Sequence, residues 1–372
     1  MSHPRKFDLV LHGASGFTGQ LAAQELAAHA PAHLRWAVCG RSQARVAQIA
    51  QKHKVPALCA DGLDRAAVDA LAAQTRVVLS CAGPFSLYGN ALVDACVKHG
   101  THYADLSGEL PWIHQLIARH HDACSAAGTT LIPASGFDSV PADLGVWALQ
   151  QELGACIPIH GFFAIRGGFN GGTLHSGIAL GERGELQADP LEQQPRRQVF
   201  PVPSLAAWAA PFLMAPVNES VVRRSAALLA PSTQAYGEGF AYHEHLLVRT
   251  RSKAHTMAVL LKLSNAMLNS SLGRKFLRRF GPKPGEGPSA QSIREGYARL
   301  TLLAGPLDQP LAQRRWFWNG DPSNQITVRC LVQTGLALAA GEAQRGGVLT
   351  PASALGATLL QRLFAIDAMR ID

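Results

Sequence analysis

From Phe7 to Pro133 short apolar runs alternate with segments of helical spacing. Phe7–His12 is apolar and ends at glycines. Gly16–His29 carries Phe17, Leu21 and Leu26 at helical intervals. Leu34–Cys39 reads as a strand and Ser42–His53 as a helix, with Ser42 placed to cap it. Ala57–Ala60 is a weak third strand, and Asp64–Ala73 a helix capped by Asp64. Arg76–Cys81 is a strongly apolar strand, Tyr88–His99 a helix, and His102–Leu106 a fifth strand. Pro111–Ala127 is a helix and Thr129–Pro133 a sixth strand. Strands alternating with helices of about 10–15 residues predict a parallel sheet with helices on both faces.

Beyond residue 150 the pattern changes. Ile159–Ile165, Phe240–Thr250 and Gln325–Gln333 alternate apolar and polar residues, which predicts half-exposed antiparallel strands. Gly281–Pro288 is rich in Gly and Pro and reads as an exposed loop or mobile linker. Thr350–Ile366 places Leu355, Leu359, Leu360, Leu363 and Phe364 on one helical face. The expected fold is α/β: a doubly wound parallel sheet over residues 1–150, an inserted mixed α/β domain with an antiparallel sheet over 151–345, and a C-terminal helix over 346–372 returning to the first domain.

Composition narrows the function classes. The 372 residues are 47% hydrophobic and 16% charged, which suits a large buried core and excludes a disordered chain. The net charge of +8 is not shared evenly. Residues 1–150 hold 11 basic and 11 acidic residues, so the whole excess lies after residue 150. From His245 to Gly285 there are nine Lys or Arg and no Asp or Glu, interleaved with Leu, Met and Phe. Such a segment suits an anionic membrane surface or an acidic acyl carrier protein. An ordinary helix with a solvated basic face fits equally. The seven Cys, at 39, 59, 81, 96, 124, 156 and 330, include no C-x-x-C pair and read as reduced core thiols in a cytoplasmic protein. Arg5, Lys6, Asp8 and His12 interrupt the first apolar run, unlike a signal peptide. The uncharged stretch Gln198–Asn218 carries four Pro, unlike a spanning helix.

Candidate chemistry begins at Gly13-Ala14-Ser15-Gly16-Phe17-Thr18-Gly19, between the first strand and the first helix. Gly13 allows a tight turn, Gly16 a close backbone approach to a pyrophosphate, and Gly19 close packing of helix on strand. Ser15, Phe17 and Thr18 stand at the helix N-terminus, where free N–H groups and the dipole hold phosphates. The second strand ends in Arg41-Ser42, where an NAD site expects Asp or Glu. A guanidinium suits a 2′-phosphate, so NADP is the expected cofactor. Ala82, Gly83 and Pro84, at the end of the fourth strand, should line the same ligand. None of the five Tyr is followed four residues later by Lys, so a Tyr-Lys dehydrogenase mechanism is excluded. His243-Glu244-His245 reads as part of a strand, and no metal is expected.

These motifs occur in order with His102–Glu109, Gly136-Phe137-Asp138-Ser139-Val140-Pro141 and Gly346–Ala352. The whole set resembles the saccharopine dehydrogenase-like oxidoreductases, most closely their trans-acting enoyl reductase branch. The match is most specific over residues 7–145 and 346–365 and weak between them. The resemblance implies a Rossmann-type first domain, NADP and hydride transfer. For that branch it implies reduction of an enoyl group on an acyl or polyketide chain, serving glycolipid assembly. It carries over no catalytic acid. Tyr103, Asp138 and His175 are the candidate proton donors on their own chemistry and position. Ser139 is available to cap the following helix. The cofactor fold argues against nucleic acid as a partner. The expected partners are the acyl or polyketide substrate, a carrier protein, a second copy in a homodimer, and the inner face of the plasma membrane through residues 245–285. An imine or aldehyde reductase of amino-acid substrates, using Arg223-Arg224 or Arg314-Arg315, remains an alternative. So does a lipid-surface protein with an idle nucleotide fold.

Overall fold

The structure, a computed structural model, describes residues 5–154, 157–168, 170–186, 199–237, 239–283 and 285–371. Cys156, Gln198 and Pro284 lie outside the described residues. The first sheet holds β1 (Phe7–His12), β2 (Trp36–Gly40), β3 (Ala57–Cys59), β4 (Thr75–Ser80), β5 (His102–Asp105), β6 (Thr130–Ile132) and β13 (Gly347–Val348). Their order is β3-β2-β1-β4-β5-β6-β13, and every pair is parallel. The strand order reverses between β1 and β4, as in the Rossmann fold. Leu9, Leu11, Val38, Val77 and Leu79 are fully buried in it. Each such side chain contributes about 1.5–3 kcal/mol on leaving water.

The linking helices are α1 (Phe17–His29), α2 (Gln43–His53), α3 (Arg65–Ala73), α4 (Phe85–Tyr88), α5 (Asn90–His99), α6 (Leu110–Ala127) and α7 (Val140–Leu153). Asp64 caps α3 by accepting from the N–H groups of Ala66 and Ala67. Ser42 and Ser139 occupy the N-cap positions of α2 and α7, yet neither makes a side-chain cap bond. The expected Ser139 cap is therefore not formed, and its buried hydroxyl has no hydrogen-bond partner.

The second sheet contains β7 (Ile159–Arg166), β8 (Phe200–Val202), β9 (Ala207–Ala210), β10 (Tyr242–Val248), β11 (Tyr297–Ala304), β12 (Ala312–Asn319) and β14 (Met369–Ile371). Its order is β14-β12-β11-β7-β10-β9-β8. The β7–β10 pair runs parallel and the others antiparallel, so the sheet is mixed where the polarity pattern gave only antiparallel strands. Around it stand α8 (Gly171–Arg183), α9 (Ala215–Leu229), α10 (Arg251–Asn269), α11 (Ser271–Phe280) and α12 (Ala290–Glu295).

Two helices close the chain, α13 (Thr327–Ala339) and α14 (Pro351–Ala365). The strand expected at Gln325–Gln333 is instead a π-helical turn, Pro322–Ile326, leading into α13. Val328, Leu331, Val332 and Leu336 have helical spacing, whereas Gln325, Thr327 and Arg329 alternate with Ile326, Val328 and Cys330 across the turn that opens α13, which is what resembled a strand. α13 lies against β1, β4 and β5 of the first sheet. α14 lies on α7 and α13. Asp143 ties this junction together: it accepts from the Ser225 hydroxyl at 2.5 Å and the Ala352 N–H at 2.8 Å. Gly335 of α13 faces Leu79 of β4, and a Cβ there would lie 2.6 Å from the Leu79 methyl groups. Replacing Gly335 by Ala should overpack this contact and cost about 1–3 kcal/mol. A thermal melt checks this; an unchanged midpoint would refute the close approach.

Candidate active site

A cleft of about 1360 Å³ opens between the carboxyl ends of the first sheet's strands and the helices around the second sheet. Such a position, at the switch in strand order, is where α/β sheets take ligands. Its first wall is the turn after β1. Gly13 has φ +78°, and a Cβ there would lie 2.8 Å from the Ala82 N. A Cβ on Gly19 would lie 2.2 Å from the Gly13 carbonyl oxygen. Both positions therefore require glycine. α1 starts at Phe17 with no side-chain cap and no acidic residue in its first turn. Its leading N–H groups remain open for an anion.

Gly13, Ser15, Gly16, Phe17, Thr18, Arg41, Ser42, Ala82, Gly83 and Pro84 all line the cleft. Gly19 does not; it serves the contact of α1 with the turn beneath. Arg45 also lines the cleft, one helical turn beyond Arg41. The four-residue spacing of the two Arg was its signal in the sequence. Within the stretch expected as an exposed loop or linker at Gly281–Pro288, the described residues Glu286 and Gly287 lie beside this turn and the start of α8. The Gly171 N–H donates to the Glu286 carbonyl at 2.9 Å, and Gly287 faces the Phe17 ring.

The three candidate proton donors are not brought together. Asp138 and His175 line the cleft, whereas Tyr103 does not. Tyr103 is fully buried in the core beneath β5, packed with residues such as Val78 and Trp112. Burial pushes its phenol well above the ordinary range, with Asp105 adding to the effect. Burial alone raises the Asp138 carboxyl to about 6. Burial, followed by the nearby Arg278 charge, lowers His175. His12, at the end of β1, also lines the cleft; burial lowers it to about 4, so its ring is neutral at pH 7. The rest of the lining is mostly apolar. Leu174 and Leu180 come from α8, Phe212, Leu213, Met214 and Val217 from the approach to α9, and Leu261, Leu268 and Leu277 from α10 and α11. No local motif announced this lining, because it is assembled from four separated segments.

The geometry agrees with the comparisons to known proteins. Residues 9–132 match the family model for the saccharopine dehydrogenase NADP-binding domain. A trans-acting enoyl reductase of Mycobacterium bovis (strain BCG / Pasteur 1173P2) is 33% identical, covering 96% of each chain. A provisionally named trans-acting enoyl reductase of Mycobacterium tuberculosis (strain ATCC 25618 / H37Rv) is 36% identical, covering 97% of this chain and 96% of its own. The chain belongs to the saccharopine dehydrogenase-like oxidoreductases, in their trans-acting enoyl reductase branch. The solved saccharopine dehydrogenase of Saccharomyces cerevisiae shares the fold, with a TM-score of 0.59 at 12% identity over 98% of both chains. This oxidoreductase uses NADP. The open α1 N-terminus and the two Arg beyond β2 fit the phosphates of that cofactor.

The raised Asp138 value has a measurable consequence. Its folded value, about 6, lies above the ordinary 3.8. The neutral acid is thus favoured in the folded state, and that stabilisation is lost as pH rises from 3.8 through about 6. Asp138→Asn and the parent should therefore differ little in this respect at pH 4. At pH 7.5 the Asn variant should gain on the order of 2 kcal/mol relative to the parent. Chemical unfolding of both proteins at the two pH values measures the difference; a pH-independent difference would refute it.

Proposed function

We propose that this oxidoreductase is an NADPH-dependent enoyl reductase whose substrate is an acyl or polyketide chain presented by another protein, in lipid assembly. The observation that carries this reading is one cleft that joins a phosphate-binding turn to a long apolar lining. NADPH, when bound, supplies the hydride. The backbone N–H groups of Ser15, Phe17 and Thr18 would hold the pyrophosphate, and Arg41 and Arg45 the 2′-phosphate. Ala82, Gly83 and Pro84 leave room beside the end of β4. Reduction of a conjugated double bond requires hydride at the β-carbon, a hydrogen bond at the carbonyl oxygen and a proton at the α-carbon. Asp138 is the assigned proton source, since a value of about 6 keeps a protonated fraction near neutral pH. His175 is a neutral hydrogen-bonding group on the opposite wall. The apolar residues exclude water and accommodate the chain.

The amino-acid alternative loses support. Arg223, Arg224, Arg314 and Arg315 are absent from the cleft lining. Arg314 pairs with Glu152, and Arg224 donates to the Val348 carbonyl at 2.8 Å.

The outer face of α10–α11 supports a surface contact. Val259, Leu260, Leu263, Leu272, Phe276 and Phe280 are at least half exposed, with Leu272 at 75%. α11 has no buried residue, and Lys275, Arg278 and Arg279 share it with these side chains. Cations beside exposed Phe and Leu suit an anionic lipid surface. Among the described residues no helix is long and apolar enough to cross a membrane.

Three measurements test these assignments. NADPH oxidation should accelerate with a long-chain 2-enoyl thioester. Arg41→Ala should weaken NADPH binding by about ten- to a hundredfold while changing NADH binding about threefold at most. Loss of affinity equal for both cofactors would refute the 2′-phosphate assignment. In liposome flotation, the protein should rise with anionic vesicles, and a variant with Lys275, Arg279 and Phe280 changed to Ser should stay behind. Retention of both proteins in the soluble fraction, with capture by an acidic carrier protein, would assign the face to the carrier instead.

A further inference from the structure

One buried carboxylate, with no role in the proposal above, joins the cofactor side of the cleft to its substrate side. Glu109 stands at the N-cap position of α6 and is 1% exposed. Its Oε1 accepts from the Phe85 N–H at 2.8 Å and from the Ser176 hydroxyl at 3.2 Å. Its Oε2 accepts from the Ser86 N–H at 3.1 Å and from the Ser86 hydroxyl. Arg183 lies 3.8 Å from Oε2 and donates to the Ser86 Oγ at 2.5 Å. Arg183 is also paired with Glu185 at 2.9 Å.

The donors come from two walls. Phe85 and Ser86 open α4, directly after Gly83-Pro84. Ser176 and Arg183 lie seven residues apart on α8, two turns along one face. A Cβ on Gly83 would sit 3.7 Å from the Ser176 Oγ, so this hydroxyl faces the cofactor loop. A buried carboxylate is costly once its donors leave, because nothing replaces them. Moving the 83–86 loop without α8, or α8 without the loop, strips donors from Glu109.

We propose that Glu109 is a positioning residue that couples the cofactor loop at Gly83–Ser86 to α8 through Ser176, with Arg183 as its counter-charge. α8 carries Leu174, His175 and Leu180 into the cleft. The seating of the loop thereby sets the wall that faces the substrate. The consequence for turnover rests on the enoyl reductase reading above; the coupling itself does not.

Hydrogen exchange of the full chain with and without NADPH tests the coupling and needs no substrate. In the parent, NADPH should slow exchange both at 83–90 and at 171–183. In Ser176→Ala, the slowing at 83–90 should persist, while that at 171–183 falls by about threefold or more toward the cofactor-free rate. Ser176→Thr, which keeps the hydroxyl, should restore it. Glu109→Gln should raise exchange at 83–90 even without cofactor, because its single amide oxygen cannot replace both acceptors and one of the Phe85 and Ser86 N–H groups loses its partner. A thermal melt of Ser176→Ala shows that the fold is kept. Equal slowing at 171–183 in parent and Ser176→Ala, or none in the parent, would overturn the proposal. Failure of enoyl thioester reduction would refute the enoyl reading and leave this result standing.

Discussion

The close approach of α1 to the turn that precedes it is the constraint on which the site depends. A Cβ on Gly19 would stand 2.2 Å from the Gly13 carbonyl oxygen and 2.8 Å from the Ala14 Cα. With Gly13 equally tight against Ala82, β1, α1 and the end of β4 are drawn to one point. That convergence directs the first N–H groups of α1 into the cleft. It also brings Ala82-Gly83-Pro84 alongside. No side chain competes for those N–H groups, since α1 has neither a cap bond nor an acid in its first turn. The anion site is thus a property of backbone geometry, and the glycines are what permit it.

Under the proposed assignment, selectivity for the cofactor comes from a different source. It rests on charge placed one strand away, where Arg41 follows β2 and Arg45 stands on α2. A ribose hydroxyl would call for an acceptor at that point, and the 2′-phosphate calls for donors. Division of labour between backbone for the shared pyrophosphate and side chains for the distinguishing group is a physical necessity. Peptide N–H groups alone do not distinguish the two cofactors.

Legibility in the sequence followed the range of the interactions. The glycine turn and the helix cap at Asp64 lie within a few residues of chain, and the sequence expressed them directly. The Rossmann strands were equally plain, because each is a short buried apolar run. α13 was misread since Gln325, Thr327 and Arg329 alternate with Ile326, Val328 and Cys330 over the π-helical turn and first residues of the helix. Tyr103 was placed among the donors by its chemistry and its position on the fifth strand, but its phenol is buried in the core with Val78 and Trp112. The Glu109–Ser176 bond spans 67 residues, and the Asp143–Ala352 bond spans 209. Contacts of that range leave no spacing to read.

The two walls of the cleft differ in how firmly they are held. The first is the edge of a buried parallel sheet, backed by α13 and fixed by the glycine contacts. The opposite wall includes α10, with only Ala254 and Ala258 buried, and α11, with no buried residue. Elements with so little burial belong to the low-stability end of a structure. Yet α10 and α11 supply Leu261, Leu268 and Leu277 to the cleft and Leu263, Leu272 and Phe276 to the outside. A thin wall with large apolar side chains on both faces can part without exposing a core beneath it. An acyl chain entering there would exchange one apolar surface for another, with little cost in hydration. The precise part of the site, where a hydride must pass, then needs support that does not depend on this wall. The Ser176 hydrogen bond and the Arg183 charge provide it in the proposed coupling, since they tie α8 to Glu109 at the start of α6.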